Sequence, residues 1–131
     1  MTPTHDRIAG LFMITLGIAS LGAFANAALE FGAVAPDRVH IEAWRMLAFL
    51  VFAGLFTLLG LFPRRMSGVW ELVFFHKASV PLFLTYIAKA HAASDASFTD
   101  TSMILVDAGL AATTLLCYLL TRGWRAWASR P

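Results

Sequence analysis

Four uninterrupted apolar runs limit what this chain can become. They lie at about Ile8–Leu29, Trp44–Phe62, Val69–Ala88 and Met103–Thr121. Each is close to the roughly 20 residues that a helix needs to cross a bilayer. Transmembrane strands are about ten residues long and alternate in polarity, and these runs do neither. The breakers fall between them: Gly32 to Pro36, then Pro63-Arg64-Arg65, then Ala92 to Thr101. The expected fold is therefore an all-α integral membrane protein. Residues 1–131 form a single domain of four transmembrane helices in an up-down bundle, with no internal repeat.

Composition agrees. Hydrophobic residues make up 59% of the 131 and charged residues 14%, whereas a soluble domain is about a quarter charged. The mean hydropathy is +0.71. A chain this short cannot cover that much apolar surface with polar groups. A soluble enzyme, a disordered tail and a nucleic-acid module are excluded. The net charge of +2 comes from Lys and Arg scattered around the apolar runs, which is not a basic patch. Cys117 is the one cysteine, so neither an internal disulfide nor a cysteine-rich zinc site is available.

The first run, behind Arg7 and ending in Ala23–Ala28, has the outline of a signal peptide. It is longer than the usual apolar core of one, and a retained helix is expected. Lys and Arg concentrate on the cytoplasmic side of membrane proteins. Arg7, Arg64, Arg65, Arg122, Arg125 and Arg130 share one side of a four-span topology; Arg38, Arg45 and Lys89 share the other. Both termini are expected in the cytoplasm, and the expected location is a bacterial inner membrane. Trp70, Trp124 and Trp127 suit the cytoplasmic interface, and Trp44 the outer one.

The runs are not purely apolar. Asn26, Glu30, Glu42, Arg45, Glu71, His76, Lys77, Lys89 and Asp107 lie inside them or at their edges. An ionisable group at the centre of a membrane helix costs about 2.5–3.5 kcal/mol or more, so it tends to face the bundle, pair and mark a site. Helical spacing lines these residues up. The first helix carries Phe12, Thr15, Ala19, Gly22, Asn26 and Glu30 on one stripe. The second carries Glu42, Arg45, Phe49, Phe52 and Phe56. The third carries Glu71, Phe75, Ala78, Leu82, Thr85 and Lys89. The fourth carries Asp107, Ala111, Thr114, Tyr118 and Thr121. Four such stripes facing inward make a cavity with a polar outer end and an aromatic wall.

The expected function follows from that cavity: binding of a lipophilic small molecule, with acid–base isomerisation, cyclisation or hydrolysis as the chemistry. Glu30, Glu42 and Asp107 are the candidate catalytic carboxylates. Asn26, Arg45, Phe49, Phe52, Phe56, Phe75, Lys89 and Tyr118 are the candidate substrate contacts. Glu42 and Arg45 can pair on one face, and Lys89 can pair with Asp107 or Glu30. The plainer alternative for Glu30, Glu42 and Lys89 is a place among lipid headgroups or in water. Lys77 and His76 are adjacent and point about 100° apart, so they do not both face one cavity centrally; one is expected at a helix seam or another subunit, with snorkelling toward the cytoplasm the alternative for Lys77. No cofactor is called for. A bis-histidine haem needs two deep histidines and only His76 is deep, while His40 and His91 sit at the outer mouth with Glu42. No metal motif is present. The expected partners are the bilayer, the lipophilic ligand and further copies of the chain, the last from the small face Ala19, Ala23, Ala27. The rival functions are a proton-coupled oligomeric transporter and an accessory subunit of a larger membrane complex.

Overall fold

The computed structural model describes residues 3–90 and 101–128. His91 and nearly all of the third connection lie outside the described residues. Four helices follow one another: α1 (Pro3–Glu30), α2 (Val39–Leu61), α3 (Val69–Ala90) and α4 (Thr101–Thr121). Short 3-10 turns follow α1 at Phe31–Ala33 and α4 at Gly123–Trp127. No strand occurs among the described residues. α1, α2 and α4 are long and apolar enough to span a membrane. α3 is as long, but Glu71, His76, Lys77 and Lys89 hold it below that standard, so the expectation of four spans is supported for three.

The helices pair as two hairpins, α1 with α2 and α3 with α4. α1 also packs on α4, while α2 and α3 barely touch. Glycines decide the first pairing. A Cβ on Gly10 would stand 2.9 Å from the carbonyl oxygen of Gly60, so the two backbones are already in contact there. Small residues let membrane-type helices approach this closely. The same packing turns α1 away from the orientation its polar stripe implied. Ala9, Gly10, Met13 and Gly17 face in. Phe12, Thr15, Ala19, Gly22, Asn26 and Glu30 are exposed.

The core fills one end of the bundle. Met13, Phe56, Leu59, Trp70, Val73 and Cys117 are buried there. That end is the start of α1 and α3 and the finish of α2 and α4. It is tied by polar contacts as well. Trp70 Nε1 donates to the Pro63 carbonyl at 2.8 Å. Tyr118 Oη and Trp127 Nε1 both donate to Glu71 Oε1, at 2.9 and 3.0 Å. Arg64 pairs with Asp6 at 2.8 Å, fastening the α2–α3 connection to α1. Arg122, at φ 51°, stops α4 in the left-handed conformation. Gly123 follows beneath the Tyr118 and Trp70 rings, where any Cβ would collide with them.

Candidate functional site

α2 and α4 place their expected stripes inward; α1 and α3 do not. On α3 the buried residues are Trp70, Val73, Lys77 and Pro81. Phe75 and Leu82 are 70% and 71% exposed, so the aromatic wall loses Phe75. The buried face, set by Trp70 in the packed core, is offset from the expected stripe by about one residue, or 100°. That offset brings Lys77 inside.

Lys77 Nζ lies 2.9 Å from Asp107 Oδ1 on α4, with side chains only 10% and 15% exposed. The ammonium also stands 4.0 Å above the centre of the Phe52 ring, a cation–π contact. His76 packs on the same ring, 4.7 Å between centroids. The expected partner of Asp107 was Lys89, which is instead exposed at the end of α3. Pro81 lies one turn above Lys77. Having no N–H, it cannot supply the hydrogen bond that a continuous helix would give the Lys77 carbonyl.

A cleft of about 300 Å³ opens over this pair between α2 and α3, with the start of α4 as its third wall. Phe49, Phe52, Val80, Met103 and Val106 make its apolar walls; Arg45, His76, Lys77, Ser102 and Asp107 are its polar residues. A second hollow, on the outer side of α2, shares Arg45, Ala48, Phe52 and His76 with it. His76 therefore sits on a lip between the two, and the expectation that His76 and Lys77 would not share one cavity is corrected: both line this cleft, His76 at its rim and Lys77 within it. Phe56, expected as wall, is wholly buried in the packed core. Tyr118 belongs to the opposite end, bonded to Glu71. Asn26 is exposed.

The other carboxylates sit apart from Asp107. Glu42 is gripped between two guanidinium groups: Arg38 on Oε1 at 2.7 Å and Arg45 on Oε2. Both its oxygens are engaged, so an acid or base role would first require it to release an arginine. Glu30 is exposed and lines a separate hollow of about 430 Å³ with Arg38, Glu42 and Arg45. The single outer cluster expected from the sequence is thus two sites, with Arg45 bordering both. Among the described residues, no three His, Cys, Asp or Glu side chains gather closely enough to hold a metal ion.

The Lys77–Asp107 pair is the strongest chemical feature of the molecule. Burying two charges costs several kcal/mol per ion before attraction repays it. A ligand atom inserted between Nζ and Oδ1 would find a donor on one side and an acceptor on the other. The chain matches no known family model, no curated protein and no solved structure.

Proposed function

We propose that the chain is an integral membrane protein whose α2/α3 cleft binds a lipophilic small molecule by its polar end. All four helices span, with both termini in the cytoplasm. One observation carries this reading: α3 turns a lysine into the bundle, beside Trp70, Val73 and Pro81, while large apolar side chains face out. It buries Lys77 and exposes Leu72, Phe75, Leu82 and Phe83, each more than 60%. In water that arrangement would leave a large sticky patch; in lipid it is the expected one, with charge facing the bundle. A Lys–Asp pair at mid-helix, under an apolar cleft open to one side, then receives a ligand from the bilayer.

Lys77 and Asp107 take the acid–base role, with Arg45 and His76 bordering the ligand's polar end and Phe49 and Phe52 holding its apolar body. Donor and acceptor flanking one ligand atom is what isomerisation, cyclisation or hydrolysis needs. Phe56, Leu59, Trp70 and Val73 fill the end beneath the cleft, so one copy offers no route across, and the rival transporter would work only as the oligomer the sequence reading requires of it.

An alkyl diazirine with a hydroxyl or carboxyl end, photolysed with the chain in nanodiscs, tests the reading. Labels should concentrate on Phe49, Met103 and Val106 and fade in Asp107→Asn, which keeps shape but not charge. Labels spread evenly over exposed lipid-facing residues such as Ile18 and Leu29 would overturn it.

A further inference from the structure

Another hollow, of about 700 Å³, lies over the α1/α2 seam at the packed end of the bundle. It shares no residue with the α2/α3 cleft. Its mouth carries Arg7, Arg64 and Arg65 against one carboxylate, Asp6. Asp6 is committed to Arg64 through both oxygens, at 3.1 and 2.8 Å. Arg7 and Arg65 are exposed. Arg64 Nε is buried with no acceptor among the described residues, a cost that an incoming oxygen would relieve. Away from the mouth the lining turns apolar. Gly10 and Gly60 contribute no side chains, and Leu11 and Ile14 flank the trough.

We propose that this groove holds one anionic phospholipid, its phosphate among the three arginines and an acyl chain along Leu11 and Ile14. The proposal rests on the membrane reading above but not on the α2/α3 cleft. Guanidinium forks match phosphate oxygens in pairs. Basic sites between helices on the cytoplasmic side suit anionic headgroups, and the orientation argument puts these arginines on that side. From Arg7 to Ile14 the helix rises about 10 Å, which is the direction an acyl chain takes from headgroup level into the bilayer. A free phosphate ion would need the arginines but not the trough. A second copy of the chain, docked symmetrically here, would set arginine against arginine.

Native mass spectrometry of the full chain, released from micelles doped with phosphatidylglycerol or phosphatidylcholine, tests this. The wild type should keep one phosphatidylglycerol in preference to phosphatidylcholine. The double variant Arg7→Gln/Arg65→Gln should lose that preference, with retention falling roughly 10-fold or more. Leu11→Trp, a substitution at an exposed position that fills the trough, should lower retention with the arginines intact. Inorganic phosphate at millimolar concentration should not displace the lipid. Three results would overturn the proposal: equal retention of the two lipids, no effect of either variant, or displacement by phosphate, which marks a free-anion site. A chain that inserts into bilayers but shows no lipid preference defeats only this proposal. A chain released from membranes by alkaline carbonate defeats the membrane reading and this proposal together.

Discussion

Lys77 and Asp107 each leave a problem behind if the other is removed. With side chains only 10% and 15% exposed, the survivor is a charge in a poorly hydrated place. Breaking a buried pair by removing one partner costs about 3–5 kcal/mol, and the residual exposure puts these singles toward the lower end. Lys77→Met and Asp107→Leu should each lower the melting temperature in detergent. The double variant should recover most of that loss while binding no ligand. A double variant as unstable as the singles would mean that the pair holds the fold together rather than serving the cleft. Glu42 behaves differently. Its own side chain is only 12% exposed, but its partners, Arg38 just before α2 and Arg45 within it, are 63% and 45% exposed, and ion pairs open to water on one side contribute about 0–1 kcal/mol. Glu42→Gln should therefore change stability little and leave labelling of the cleft at Met103 intact.

The reason Lys77 was not legible as the partner of Asp107 is also found at this scale. α3 and α4 run in opposite directions, so by position Lys77 falls in the half of α3 nearer the packed end and Asp107 in the half of α4 farther from it. Levels read from the sequence place Cα atoms, and on that basis the two residues belong to different halves. A lysine stem spans about one helical turn and buries its methylenes on the way, so the ammonium closes the gap. Asp107 itself was legible, because a carboxylate on the same stripe as Ala111, Thr114 and Thr121 has to face wherever they face.

Among the elements, α2 and α4 were legible and α1 and α3 were not. The difference lies in what competes with polarity for the inward face. α2 and α4 carry their bulk and their polar groups on one stripe, so the two cues agree. On α1 the polar stripe runs one way and Gly10 and Gly17 another, and close backbone packing wins. On α3 the single tryptophan of the span outweighs a scattered polar face. The glycine seam gives a direct test. A methyl on Gly60 would lie 2.8 Å from Ile14 and 3.0 Å from the Gly10 carbonyl oxygen. Overpacking of that kind costs about 1–3 kcal/mol, so Gly60→Ala should lower the melting temperature. Gly22 has nothing within 4 Å of such a methyl, and Gly22→Ala should gain up to about 1 kcal/mol in helix propensity. If both substitutions act alike, α1 does not meet α2 along this seam.

For the whole molecule, the deciding question is whether α3 crosses. With four crossings, reporters fused after Pro131 and within Pro63–Ser67 share the cytoplasmic side, and a reporter within residues 94–100 lies outside. If α3 lies on the surface instead, the 63–67 and 94–100 positions report the same side. The arginine distribution argues for the first pattern. Measured accessibility of single cysteines at these positions, in a Cys117→Ser background, checks it independently of reporter bulk.

The packed core lies at one end of the bundle, and the gap over Lys77 lies sideways, between α2 and α3. A guest reaching Lys77 through such a gap never has to leave the hydrocarbon. Occupancy would then follow the guest's mole fraction in the lipid, not its concentration in the surrounding water. Diluting the sample with buffer would leave it unchanged, while adding empty vesicles would strip it. Two guests with equal intrinsic fit would rank by their partition coefficients.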